Sequence, residues 1–209
     1  MKKRELSKSA ESFIVNEAVK ILKKGKIIVY PTETAYGLGA DFSNPQALKK
    51  IYQIKGRSFK KPLSIIVSDF KMAKKLIKFD KFSLKLAKKY WPGPLTLVLE
   101  PTKVIEKFQQ KGQLPQNSIA LRISSNQLIT KIVKKLGRPV TATSANFADQ
   151  KECYTARKVL KSFKNKKYQP DLIIDAGVLP RRKTSTIVNV IDSQIKVLRK
   201  GTIKLNPKF

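Results

Sequence analysis

The chain has 209 residues, 41% of them hydrophobic, an ordinary composition for one soluble globular core. Its 45 basic and 14 acidic residues leave a net charge of +31. One cysteine, Cys153, and no histidine exclude an intrachain disulfide, a multi-cysteine metal site and any Ser-His, Cys-His or His-metal centre.

From the N-terminus, MKKRELSKSAES is charged with no apolar run behind it, so it does not read as a secretory signal. No stretch approaches the roughly 20 apolar residues of a membrane helix. A cytoplasmic protein with no membrane association is therefore expected. Residues 12–24 have a helical apolar face (Ile14, Ala18, Ile21, Leu22) stopped by Gly25. KIIVY (26–30) reads as a buried strand ended by Pro31, and Asn44-Pro45 opens a helix that Gly56 closes. LSIIV (63–67) is a second strand, and Ser68-Asp69 caps a helix to about Lys78. A helix near 81–90 breaks at Trp91-Pro92-Gly93-Pro94 and feeds strand LTLVL (95–99). Residues 102–117 are polar and read as loop. SIALRI (118–123), PVTAT (139–143), DLIID (171–175), STIVNVI (185–191) and IKVLR (195–199) read as strands, with helices near 125–136 and 155–163. Alternating elements that give way to clustered strands predict a single α/β domain with a twisted mixed sheet and flanking helices.

Without P-loop, GxGxxG fingerprint or histidine, any chemistry rests on Lys, Arg, Ser, Thr, Asn, backbone amides and Mg²⁺. PTETAYGLG (31–39) places Thr32, Thr34 and Tyr36 at the carboxyl end of a strand, where open α/β sheets bind ligands, and Gly37 and Gly39 would admit a ligand close to backbone. The same segment also reads as a plain turn. Lys55-Gly56-Arg57 leaves a helix end. Its two cations would converge on one anion, or simply favour the helix dipole. Lys60 and Lys61 add charge nearby. Period two puts Ser118, Ala120 and Arg122 on one strand face and Ile119, Leu121 and Ile123 on the other. A mid-strand Arg needs a partner, either a ligand anion or a structural Asp or Glu. Thr141, Thr143, Ser144 and Asn146 end another strand, with hydroxyls and an amide for a ligand or for helix capping. Of the basic residues 37 are Lys and 8 Arg. The charge thus fits a polyanion such as RNA or a lysine-biased surface, and each Arg stands out.

The blocks PTETAYGLG (31–39), KGR (55–57), PLSIIV (62–67), WPGPLTLVL (91–99), ALRI (120–123), TSAN (143–146), STIV (185–188) and VLRKGTI (197–203) resemble, in order, those of the YrdC-like family of L-threonylcarbamoyladenylate synthases. K-x-R with S-x-N is the identifying combination. The resemblance implies one domain with its core at about 9–203, no additional C-terminal domain, and a large positive concave cavity. It implies that L-threonine and bicarbonate form a carbamate that attacks the α-phosphate of ATP, with Mg²⁺ bridging phosphates and pyrophosphate leaving. The product would pass to a partner complex that transfers it to the adenosine beside the anticodon of certain tRNAs. A contact with tRNA or double-stranded RNA is also expected. By the same resemblance Thr34, Arg122, Ser144 and Ser185 contact threonine. Lys55, Arg57, Lys61, Ser118, Asn146 and Arg199 contact ATP, with Lys55 and Arg57 as the catalytic cations and no residue as a metal ligand. The chain departs from the family at Ile66 and Thr184, where relatives often carry His and an acidic residue, and over FADQKECYTA (147–156), where Tyr154 or Thr155 would take a nucleotide contact. Two alternatives stay open: a non-catalytic RNA-binding protein on the same scaffold, and a paralogue that makes a different carbamoyl adenylate.

Overall fold

The computed structural model describes residues 1–59, 62–105, 118–148, 150–191 and 194–205. Its strands are β1 (Lys2–Glu5), β2 (Ile28–Tyr30), β3 (Gly37–Gly39), β4 (Ser64–Ile66), β5 (Leu95–Leu99), β6 (Ile119–Arg122), β7 (Val140–Ser144), β8 (Leu172–Asp175), β9 (Thr186–Ile191) and β10 (Gln194–Arg199). They form one sheet in the order β1-β8-β2-β3-β7-β4-β6-β5-β9-β10. Parallel pairs such as β4–β6 and β5–β9 alternate with antiparallel ones such as β3–β7 and β5–β6, the mixed sheet expected. Helices α1 (Glu11–Lys23), α2 (Pro45–Lys55), α3 (Phe70–Leu76), α4 (Lys81–Tyr90), α5 (Gln127–Leu136) and α6 (Ala156–Phe163) flank it.

Local chemistry fixes the helix ends. Asn44 accepts a hydrogen bond from the Ala47 amide, Pro45 occupies the first turn, and Gly56 closes α2 at φ +59°. Asn126 caps α5 and Gly137 closes it at φ +73°. Asp80 and Ser83 form a reciprocal capping box on α4.

Two strands add to those expected. The sequence pattern assigns no element to KKRE, which runs parallel to β8 as an edge strand held by its backbone. GLG (37–39), open in the sequence between a ligand-binding segment and a turn, is a strand between β2 and β7. The predicted loop over 102–117 lies mostly outside the described residues, and 103–105 are helical.

The two sheet faces differ. Ile65, Leu97, Leu121 and Val188 align across β4, β6, β5 and β9 and join the core that holds α2, α4 and α6. The opposite face is apolar at one end only. There Ile28, Tyr30, Ile66, Val140 and Leu172 pack under α1 and α5 through Ile14, Ala18, Leu22, Ile129, Ile132 and Val133. Each such buried side chain contributes about 1.5–3 kcal/mol. Further along β4 and β7, and across β6, β5 and β9, the same face presents Ser64, Ala142, Ala120, Thr96 and Asn189, no helix among the described residues covers them, and the sheet lines a cavity.

One glycine locks the last two strands together. A Cβ on Gly201 would lie 2.2 Å from the Thr184 carbonyl oxygen and 2.4 Å from the Thr186 nitrogen, both backbone atoms that cannot swing away. The Thr202 amide donates to Thr184 O at 3.0 Å and Ile203 N to Thr186 Oγ1 at 3.0 Å. Gly137, unlike Gly201, has a positive φ, but a Cβ there meets nothing within 4 Å. In urea unfolding, Gly137→Ala is expected to cost about 1 kcal/mol of backbone strain, and Gly201→Ala roughly 3 kcal/mol or more because backbone must move. Equal effects would show that the crossing at Gly201 is loose.

Candidate active site

The open end of the sheet face bounds a cavity of about 800 Å³. Thr34, Lys55, Arg57, Ser118, Arg122, Ser144, Asn146, Ser185 and Arg199 all line it, although they span 165 positions of sequence, from 34 to 199. Lys61, the remaining candidate, lies outside the described residues.

Lys55 ends α2 and is 3% exposed. Its ammonium donates to the carbonyl oxygens of Ser144 at 2.7 Å and Asn146 at 3.0 Å, and to Asn146 Oδ1 at 3.3 Å. The Ala148 amide returns a bond to Lys55 O at 2.8 Å. Asn146 Nδ2 in turn donates to the Gln150 carbonyl. The two motif pairs are thus one unit, with the cation of the first tying down the backbone of the second. Burial, and secondarily Arg57, push the Lys55 pKa down to about 8.

Gly56 reverses the chain so that Arg57 reaches the same cavity. A Phe147 ring covers this turn, 2.2 Å from where a Gly56 Cβ would sit. Arg57 Nη2 donates to Pro62 O at 3.1 Å, while its Nε is buried without a partner, the one such side-chain atom among the described residues. A donor in that state is suited to an incoming anion.

At the other end Arg122 is 5% exposed. The sequence left its partner open between a ligand and an acidic residue, and the structure supplies Glu33, which forms a buried ion pair with Arg122 and accepts from the Ser124 hydroxyl. Nothing local in the sequence links positions 33 and 122; Glu33 could have been found only as the odd acid in a chain with few.

The wall is completed by Ser185, whose hydroxyl lies 2.9 Å from Thr96 Oγ1. Arg199 donates to Ser185 O from Nε at 3.0 Å and Nη2 at 2.8 Å, and to Ser185 Oγ at 2.9 Å. Burial of the guanidinium lowers the Arg199 pKa.

Other candidates bond to the scaffold, although Thr32, Tyr36 and Thr143 also line the cavity. Thr32 Oγ1 accepts from the Thr34 and Ala35 amides, both at 3.1 Å, and donates to Ala35 O at 2.6 Å, which shapes the turn that presents Thr34. Thr141 Oγ1 bonds the backbone of Ala40 and Leu38 instead of a ligand. Tyr36 donates to Gly177 O at 2.9 Å. Gly37 and Gly39 make room for the Tyr30 ring, which would lie 2.9 and 2.7 Å from their Cβ atoms, and Gly37 also lines the cavity. Thr155 caps α6, and Tyr154 donates to Arg182 O at 3.0 Å. Ile66 is buried under α1 and α5, away from the opening.

A polyanion that binds Lys55 favours its charged form, so its pKa rises on binding. Binding of inorganic tripolyphosphate is expected to take up a proton near pH 8 and to weaken roughly tenfold from pH 7 to 9. Titration calorimetry in buffers of different ionisation enthalpy measures the proton count. Lys55→Met should abolish it, and a wild type without uptake would place Lys55 outside the anion site. The unfolded lysine holds its proton up to about 10.5, so without ligand stability should rise with pH between about 8 and 10.5.

Residues 20–201 match the model of the Sua5/YciO/YrdC family, described as telomere recombination. A threonylcarbamoyl-AMP synthase of Pyrococcus abyssi is 32% identical over 196 residues, 93% of this chain and 56% of that protein. Another, from Buchnera aphidicola, is 32% identical over 178 residues, 84% of this chain and 98% of that protein. The crystal structure of P. abyssi Sua5 complexed with L-threonine superposes with a TM-score of 0.83 at 30% identity, over 96% of this chain and 57% of that one. The chain therefore spans little more than half of the Pyrococcus protein and nearly all of the Buchnera one. The matched segment runs from α1 past Arg199 and so takes in the whole described cavity wall, and on that extent the chain belongs to the Sua5/YciO/YrdC family.

Proposed function

We propose that this chain is a nucleotidyltransferase that makes L-threonylcarbamoyl-AMP from L-threonine, bicarbonate and ATP, releasing pyrophosphate. The observation that carries the reading is the convergence of Lys55, Arg57, Arg122 and Arg199 with a row of hydroxyls on one open sheet face. The likeness to proteins named threonylcarbamoyl-AMP synthase and to a threonine-bound relative supports it.

In this reading Lys55, Arg57 and Arg199 hold the triphosphate, with Ser118 and Asn146 beside it and Lys61 nearby. Thr34, Ser144 and Ser185 hold threonine, and Arg122 takes its carboxylate. Carbamate formation joins the threonine nitrogen to the carbon of bicarbonate with loss of water. A carbamate oxygen then attacks the α-phosphorus, and the bond to the β-phosphate oxygen breaks. Lys55 and Arg57 offset the charge that develops there, and orientation lowers the barrier further. Glu152 is the one carboxylate among the described lining residues. Mg²⁺ therefore enters as part of the ATP substrate, ligated chiefly by phosphate oxygens. The mixed anhydride must be consumed by an acyl transfer, here to a tRNA adenosine through a partner complex, and the cationic surface would favour RNA contact. Among the described residues no helix is long and apolar enough to cross a membrane, in keeping with a cytoplasmic role.

Purified protein with Mg²⁺, ATP and bicarbonate is expected to release pyrophosphate only when L-threonine is added. Lys55→Ala and Arg122→Ala should each lower that release by about 10²-fold or more. Release with another amine in place of threonine would point to a paralogous reaction. No release with any amine, from folded protein that binds RNA, would favour an RNA-binding role.

A further inference from the structure

Glu33 has no part in the reaction as assigned, yet it is the carboxylate in contact with the cavity's most buried guanidinium. One oxygen pairs with Arg122 and the other accepts from Ser124 Oγ. The side chains of Glu33 and Arg122 are 8% and 6% exposed, so water does little to screen the pair. The other cations of the cavity differ. Among the described residues Lys55, Arg57 and Arg199 form no ion pair with a carboxylate and are held by carbonyl or hydroxyl oxygens.

We propose that Glu33 is a specificity-determining residue that divides the cavity by charge. It cancels Arg122, so that this end takes a single carboxylate and the polyphosphate is confined to Lys55, Arg57 and Arg199. The identity of the two ligands rests on the function proposed above; the division itself does not. An uncompensated Arg122 would attract a polyphosphate more strongly than a carboxylate, because Coulomb attraction scales with ligand charge. With Glu33 in contact the long-range field of the pair collapses to that of a dipole. What remains is short-range hydrogen bonding by the guanidinium N–H groups, which a planar carboxylate matches. Ser124, which grips the far oxygen of Glu33, holds the carboxylate in place behind Arg122.

The test is calorimetric titration of the full chain with inorganic pyrophosphate, with and without saturating L-threonine, on wild type and Glu33→Gln. Gln keeps the shape and one acceptor for Arg122 but removes the charge. Wild type should bind pyrophosphate at one site, with an affinity that threonine changes less than twofold. Glu33→Gln should gain a second pyrophosphate site that threonine displaces. Pyrophosphate affinity at the Arg122 end should rise on the order of tenfold when the contacting charge is removed. Glu33→Asp, which retains the charge, should keep the single site. An unchanged pyrophosphate count in folded Glu33→Gln overturns the proposal. So does competition between pyrophosphate and threonine in wild type, a result that needs no variant to fold. If wild type binds no threonine, the threonine reading fails, while the pyrophosphate count in Glu33→Gln against wild type still decides the division.

Discussion

A buried ammonium that meets carbonyl oxygens, and no carboxylate among the described residues, is the contact on which the cavity depends. Lys55 at the end of α2 holds the Ser144 and Asn146 carbonyls just where β7 leaves the sheet. Desolvating that charge is costly, and three acceptors recover only part of the cost. The remainder shows as a pKa displaced toward neutrality. A carboxylate partner would have been the more stabilising choice, but it would have spent the charge. Carbonyls orient the ammonium without neutralising it, and Arg57, the residue after Gly56, retains an unpaired Nε in the same spirit. Stability is thus given up locally in return for a cationic surface already aimed at an anion.

The sheet makes the rest of the site by changing character along one face. Under α1 and α5 the strands present large apolar side chains; a few residues further on they present glycine, alanine, serine and threonine. Small side chains give the opening its depth, and among the described residues no helix covers it. The other face is chiefly apolar and packs on α2, α4 and α6. The helices that form the core therefore also define the floor of the cavity, and the floor is rigid because its reverse side is packed.

Much of this was legible in the sequence because it follows from period and punctuation. The split of Ser118, Ala120 and Arg122 from Ile119, Leu121 and Ile123 is a period-two pattern, and the register of β6 against β5 bears it out. Asn44, Gly56 and Gly137 marked helix ends by cap chemistry that is local to a few residues. What escaped was either backbone-driven or long-range. β1 has no apolar alternation because its side chains face solvent and its bonds to β8 are main-chain. β3 is three residues with two glycines, whose purpose, clearance for Tyr30, becomes visible only once β2 lies beside it. The pairing of Glu33 with Arg122 crosses 89 positions and leaves no local mark. The same distance hid the fact that Lys55 and the 144–146 backbone form one unit, although both motifs could be read separately.

The Ser185–Arg199 clamp has a consequence for the order in which the molecule is built. Thr34 and Lys55 emerge early in synthesis, but the wall opposite them consists of β9 and β10, drawn together across Gly201. Until β9 has left the ribosome, β5 has no neighbour on its outer side, and its backbone groups form an unfinished edge. A nascent chain therefore carries Lys55, Arg57 and Arg122 for much of its synthesis without the wall that completes the cavity. The cavity gains its far wall only with the completed sheet, so the site is among the last parts of the molecule to take shape.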